Sequence, residues 1–320
     1  MQSSISELAK ESNELTTKIF GKEILFYRPG FGLSGKDSFP TFSVTGESCA
    51  LQCEHCKARV LRSMRPTLSP KALYENMLAA HSKGARGCLV SGGSRPDGSV
   101  PLEPFIDALA SAKRETGMTV VVHTGLVRSG MAEKLAGAGV DAALIDLLGD
   151  DRSIRDVYHL DASVVDYRRA VADLVACGVP LTPHFIVGLG SEQAAIENVL
   201  DILEEHRPKA FIVIAFRPIQ RTPMAFTPPP SPEDVAFALA KARLRLSDVP
   251  IALGCMRPVG SLRDEIDRMA IQTGINALAH PSPGAYEAAA EGGWKVIEKR
   301  TCCSEVFVDF PNHPAWSSPP

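Results

Sequence analysis

The chain has 320 residues, 45% hydrophobic and 22% charged, proportions of an ordinary globular protein that exclude extended disorder and coiled coil. Its 34 basic and 37 acidic side chains leave a net charge of −3, so composition offers no basic surface for nucleic acid or anionic lipid. No stretch approaches the ~20 apolar residues of a membrane helix, and the opening MQSSISELAKESNEL is acidic and amphipathic, unlike a secretory signal. Eight cysteines are too few for a secreted disulfide scaffold. Three of them fall between Cys49 and Cys56, which speaks for metal chemistry in a reducing, cytoplasmic setting.

In chain order, Ile5, Leu8, Leu15 and Ile19 recur at helical spacing over 5–19. EILFYRP at 23–29 reads as a strand. The next loop carries a formal GxGxxG at Gly30, Gly32 and Gly35. That pattern binds a dinucleotide only where a helix starts, and KDSFPTFSV starts none, so the loop is read as a connector. From residue 41, short apolar runs alternate with helical stretches. The strands predicted are Phe42–Val44, Cys88–Ser91, Thr119–His123, Ala142–Asp146, Leu181–Val187, Ala210–Phe216, Ile251–Gly254 and Ile275–Ala279. Helices are predicted over 102–115, 194–206 and 232–246, the last with Ser231 as N-cap and Pro232 at its first position. Eight such units imply an α/β fold, a full or nearly full (β/α)8 TIM-type barrel. The expected organisation is an N-terminal extension (1–40), the barrel (41–295) and a C-terminal tail over the barrel mouth (296–320).

Barrels of this kind carry their chemistry at the C-terminal ends of the strands. Those ends read Ser91, His123, Asp146, His184, Arg217, Cys255 and His280. Each alone is an ordinary loop residue; seven along one rim make a candidate site. VTGESCALQCEHCKARVLRSM, at 44–64, sets Cys49, Cys53 and Cys56 as C-x3-C-x2-C directly after the first barrel strand. Three thiolates on one loop suit zinc or an iron–sulfur cluster. Structural zinc wants four closed ligands and would have to recruit His55 or a distant group.

That spacing, at that place, resembles the signature of the radical S-adenosylmethionine superfamily. VSGGSR at 90–95, with Ser91, Gly92 and Gly93, resembles the segment that meets the methionine moiety. HFIVGLGSE at 184–192, with His184 and Gly188, resembles the one against adenine and ribose. The resemblance implies a [4Fe–4S] cluster on Cys49, Cys53 and Cys56, S-adenosylmethionine on the open iron, and a 5′-deoxyadenosyl radical that abstracts hydrogen from unactivated carbon. His123 and Asp146 are expected in the cofactor or substrate cavity. His55 either donates to a cluster sulfide or presents only its backbone.

HTGL, DLLGD, FRPIQRTPM, CMRP and a late Cys-Cys narrow the resemblance to the biotin-synthase-like branch, and within it to the two-protein lipoyl synthases. This implies a sulfurtransferase acting on an octanoyl chain of a lipoyl carrier protein or peptide. A paralogous partner and an electron donor such as ferredoxin or flavodoxin would work with it. Such enzymes sacrifice a second cluster as sulfur donor. Cys88 and Cys177 read as packed residues, which leaves Cys255, Cys302 and Cys303 to hold it, with Ser304 or Arg257 as fourth ligand. The alternatives are a biotin-synthase-like methylase, mutase or cofactor-assembly lyase with a single cluster, and a zinc-bearing binding protein.

Overall fold

The structure is a computed structural model that describes residues 4–29, 38–128, 130–190 and 192–310. The Gly30–Gly32–Gly35 motif and the proline-rich 311–320 segment lie outside the described residues. The strands are β1 (Glu23–Tyr27), β2 (Thr41–Ser43), β3 (Arg65–Pro66), β4 (Gly87–Ser91), β5 (Thr119–His123), β6 (Ala142–Leu144), β7 (His184–Val187), β8 (Phe211–Ala215), β9 (Ile251–Leu253), β10 (Ala277–Ala279) and β11 (Lys295–Lys299). The helices are α1 (Ile5–Phe20), α2 (Pro70–Ser82), α3 (Ile106–Thr116), α4 (Met131–Ala138), α5 (Val164–Ala176), α6 (Glu192–Glu205), α7 (Pro232–Arg245), α8 (Ser261–Gln272), α9 (Pro283–Glu291) and α10 (Val306–Asp309). None of these is long and apolar enough to cross a membrane. All eight predicted barrel strands are present, and strand alternates with helix as the class requires.

The chain forms two compact units. Residues Pro29–Pro183 and Pro218–Thr227 build one, around a parallel sheet ordered β3-β2-β4-β5-β6. The other comprises Met1–Arg28, His184–Arg217 and Pro228–Pro320, with a parallel sheet ordered β11-β1-β10-β9-β8-β7. β1, read from sequence within an extension, is an interior strand between β10 and β11. Its Ile24 to Tyr27 are all buried, as a parallel strand covered on both faces should be.

Local rules account for the element ends. Ser231 caps α7 through a reciprocal pair with Asp234, and Pro232 opens the helix. β7 begins at His184 and not at the predicted Leu181, because Pro183 has no N–H for the ladder; Leu181 makes only an isolated bridge to Ala143. β10 begins late because the Asn276 side chain stands in for the backbone, its Oδ1 accepting from Ile251 N at 2.9 Å.

Period-two alternation puts Leu25 and Tyr27 of β1, Ile212 and Ile214 of β8, Ala252 of β9, and Ala277 and Ala279 of β10 into one apolar cluster. Three of these positions are alanine, and the C-terminal segment fills the space they leave with Cys303 and Val306. The Tyr27 hydroxyl donates to Asp309 at 2.6 Å, and Lys299 pairs with the same carboxylate at 2.6 Å. At the adjoining strand ends, Arg257 and Asp267 form an ion pair at 2.7 Å with both side chains fully buried. Arg257 also donates to the carbonyls of Gly254 and His280, and Asp267 accepts from Ser282 N. The pair thus joins β9, β10, α8 and the start of α9. Asp267→Asn leaves a buried guanidinium uncompensated and should cost about 3–5 kcal/mol, read as a lower midpoint in urea unfolding.

Candidate metal centre and cofactor site

Cys49, Cys53 and Cys56 follow β2 on a loop whose shape is set from outside. Gln52, Lys57 and Ala58 all have positive φ (46°, 44° and 58°), an unfavourable conformation for residues with a Cβ. Hydrogen bonds from three other segments hold it. Ala50 N donates to Ser94 O at 2.8 Å, Glu54 N to Val157 O at 2.8 Å, and Met224 N to Glu54 O at 3.4 Å. Side chains add a second layer. His159 faces Leu51 O through Nδ1 and Glu54 Oε1 through Nε2, both at 2.9 Å. Lys57 donates to Glu54 Oε1 and to Gln52 O, and holds the Glu54 carboxyl below its ordinary range. Glu54, Lys57 and His159 form a clamp that the sequence reading missed.

Within this frame the ligand atoms of Cys53, His55 and Cys56 lie within 4.8 Å of one another. The Cys56 thiol is lowered to about 4, first by the hydrogen bond from Cys53 and then by His55. Cys53 is raised, first by the hydrogen bond it gives Cys56 and then by burial. Cys49, the third predicted ligand, lies outside that 4.8 Å spacing and accepts from Ser94 N at 3.3 Å. The site is therefore soft and thiolate-rich, the donor set that an iron–sulfur cluster takes.

The Gly92–Gly93 turn after β4 closes against this loop. Gly93 N donates to the Thr45 hydroxyl at 2.7 Å. A Cβ on Gly93 would stand 2.0 Å from Ser48 O and 2.5 Å from Cys49 Cβ, so only glycine lets the two backbones meet. Ser91, buried, accepts from Val44 N through its carbonyl. The cradle fits an expected cluster and the ligand on its open iron.

The remaining rim residues divide between the two units. In the cysteine-loop unit, His123 Nε2 lies 3.4 Å from Asp146 Oδ1, both half-buried. Asp146 falls two residues past β6, beyond its predicted strand. Tyr158, a further residue the sequence did not flag, packs its ring at a tilt on His55 with centroids 5.0 Å apart, and its buried hydroxyl has no hydrogen-bond partner among the described residues. Burial, then the charge of Asp146, raises its phenol.

In the other unit His184 opens β7 instead of closing it, which corrects the strand-end assignment. Its register partner Ile212 nevertheless puts it on the same sheet face as Ala252 and Ala277. Gly188 (φ 102°) lies against Phe216 and Pro230, each 2.8 Å from a would-be Cβ. His280, also with positive φ (50°), is lowered to about 4 by burial and then by Arg263, Arg257 and Arg28.

Cys255 is exposed just past β9, yet enough protein surrounds it for desolvation to raise its thiol, with Cys302 adding to the effect. Cys302 is lowered, first by a hydrogen bond from Cys303 and then, against burial, by Ser304, whose hydroxyl donates to its Sγ at 2.9 Å. Cys303 is raised by that same hydrogen bond and by burial. These three cysteines and Ser304 therefore interact, although no more than two of the sulfurs fall within single-ion spacing. Arg257 is different: its guanidinium is committed to Asp267, Gly254 and His280, which speaks against the ligand role expected of it.

Two outcomes follow. Gly93→Ala should displace the Cys49 segment and lose most bound iron after reconstitution, measured as iron per chain, with secondary structure retained by circular dichroism. For His280, a folded-state value below the unfolded one means the unfolded chain binds more protons between pH about 6.5 and about 4. Its contribution is complete above pH 6.5 and is lost as pH falls through that window. His280→Asn, which tolerates the positive φ, should flatten that part of the stability profile in denaturant titrations.

Residues 43–203 match the Radical SAM superfamily. The chain is similar to the biotin synthase of Synechococcus sp. (strain JA-3-3Ab), 26% identical over 266 residues that cover 76% of this chain and 81% of that protein. It is also similar to the biotin synthase of Streptomyces coelicolor, 27% identical over 221 residues, covering 66% of this chain and 53% of that one. Among solved structures it resembles methylornithine synthase (PylB), with TM-score 0.63 and 14% identity over 97% of this chain and 93% of that one. It also resembles the FeFe-hydrogenase maturase HydG from Carboxydothermus hydrogenoformans, with TM-score 0.65 and 16% identity over 99% and 76% of the two chains. At these identities the structural likeness shows the fold, an α/β arrangement of parallel strands consistent with a TIM-type barrel.

Proposed function

The chain belongs to the Radical SAM superfamily, and from that premise we propose that it is a sulfurtransferase inserting sulfur into the octanoyl chain of a lipoyl carrier protein or peptide. Members of the superfamily bind a [4Fe–4S] cluster and S-adenosylmethionine, which together supply a radical able to take hydrogen from carbon too weakly acidic for any general base. Cys49, Cys53 and Cys56 are the residues to hold that cluster. Gly92 and Gly93 offer backbone, not side chain, to the bound ligand, which lets it approach closely. His123 with Asp146, and His184, are the polar groups to orient cofactor or substrate, and Gly188 offers backbone alone.

The observation that carries the sulfur reading is the association of Cys255, Cys302 and Cys303 with Ser304. The proposed occupant is a second iron–sulfur cluster acting as co-substrate, with one of its sulfides the atom transferred. Ser304, already bonded to Cys302, is the oxygen available as fourth ligand. One donor cluster per chain and two sulfurs per lipoyl group call for a paralogous partner. A ferredoxin or flavodoxin supplies electrons, in the cytoplasm. A single-cluster methylase, mutase or lyase is the second reading, favoured by Cys303, which sits 4% exposed in an apolar cluster as a packing residue would.

A single-turnover assay with an octanoyl-lysyl peptide separates the two readings. Wild type, with its partner supplied, should thiolate the peptide and carry ~8 irons, against ~4 for one cubane cluster. Cys302→Ala/Cys303→Ala should still form 5′-deoxyadenosine while losing every thiolated product. Normal thiolation by the variant, or none by wild type, transfers the assignment to the single-cluster reading.

A further inference from the structure

A single segment grips the cysteine loop at consecutive residues. It consists of the π-helical turn Ser153–Val157 and the two residues that follow. A turn of this kind is rare and recurs at functional sites. Val157 O accepts from Glu54 N at 2.8 Å, and Tyr158 O lies 3.8 Å from Cys53 Sγ. His159, at φ 53°, turns its ring back across the loop. Its Nδ1 stands 2.9 Å from Leu51 O and its Nε2 2.9 Å from Glu54 Oε1. Lys57 reaches the carbonyl of Gln52 at 2.7 Å and the same Glu54 oxygen at 3.0 Å. Cys53 is thus held between two points, Leu51 and Glu54, that one imidazole ties together.

The partners of the ring decide its chemical form. A carbonyl oxygen and a carboxylate oxygen that already accepts from lysine have no proton to give. A neutral imidazole has one N–H and would turn a lone pair on one of them. Both contacts are favourable only when the ring donates from both nitrogens, as an imidazolium. With 38% of the His159 side chain and 27% of that of Glu54 exposed, the ion pair adds little to stability. Its effect is on geometry and charge. His159 and Lys57 are two cations on one carboxylate, which leaves a positive charge uncancelled beside the thiolates.

We propose that His159 is a positioning residue for the [4Fe–4S] cluster of the cysteine loop. Its two N–H groups set the separation of Leu51 and Glu54, and with it the place of the Cys53 thiolate, while its charge opposes that of the cluster. The inference rests on Cys49, Cys53 and Cys56 holding that cluster. A cubane with three thiolates is an anion, and reduction makes it more so. Positive charge nearby therefore favours the reduced form and raises the potential.

The test is an EPR-monitored redox titration of the full-length, reconstituted protein, following the signal that responds to added S-adenosylmethionine, together with iron loss to a chelator. His159→Asn keeps a donor near the place of Nδ1 and tolerates the positive φ. His159→Gln keeps one near the place of Nε2, and His159→Ala keeps neither. All three lose the charge and should lower the midpoint potential alike. Retention should be graded: Ala releases iron about tenfold faster than wild type, and Asn and Gln fall between. The urea midpoints of Asn and Gln should stay near that of wild type. If wild type gives no such signal, or Cys49→Ala/Cys53→Ala/Cys56→Ala gives the same one, the ligand assignment fails and takes this inference with it. If the triple variant loses the signal but the His159 variants keep the wild-type potential, only this inference fails. Iron loss that tracks a falling urea midpoint in all three variants also overturns it, since His159 would then serve the fold alone.

Discussion

Like-charged thiolates resist being gathered, and the cysteine-loop unit is organised around that resistance. Without a metal, Cys53 and Cys56 reach a compromise in which one holds its proton and the other loses it easily. The loop that enforces this closeness is itself unfavourable, with three non-glycine residues at positive φ. Such a conformation persists only where its surroundings over-determine it. Here the surroundings are the Ser94, Val157 and Met224 backbone, the Glu54–Lys57–His159 clamp, and the bare α-carbon of Gly93 against Cys49. A cationic iron–sulfur core removes the repulsion that this scaffold must otherwise contain, so folding and metal binding reinforce one another.

The cysteine corner of the other unit solves the same problem differently. There the scaffold is apolar: alternate strand positions reduced to alanine admit a C-terminal segment, which Tyr27, Asp309 and Lys299 fasten. Cys302 and Cys303 are pressed into low dielectric, where a thiolate is expensive, and Ser304 and Cys303 partly offset this at Cys302. The positive charge sits to one side, on Arg217, Arg257 and Arg263. An apolar bed disfavours a lone thiolate, and the neighbouring guanidinium of Arg257 works in the opposite direction at Cys255.

What the sequence disclosed followed from local chemistry. The C-x3-C-x2-C spacing, the Ser231–Pro232 helix start and the strand–helix alternation depend on neighbours in the chain, and all recur in the structure. What it hid depended on partners distant in sequence. His184 was misplaced because an apolar run was read straight through Pro183, and a proline cannot join the ladder. β1 looked like a preface because its partners β10 and β11 lie more than 250 residues further on. Arg257 could pass for a ligand until Asp267, ten residues away and itself unremarkable in sequence, proved to occupy it. His159 and Tyr158 carry no motif, because their value comes from backbone turns at Leu51–Cys56 that bring acceptors and a ring to them.

These corrections bear on mechanism. With Arg257 committed to Asp267, the proposed second site has Cys255, Cys302, Cys303 and Ser304 to offer as ligands. Cys255, exposed just past β9, leaves one side of the proposed site approachable. A cluster that must surrender a sulfide needs such an approachable side, together with walls firm enough to keep the remaining irons in place. Cys255 at the accessible edge and Cys303 in the buried floor divide those two requirements between them.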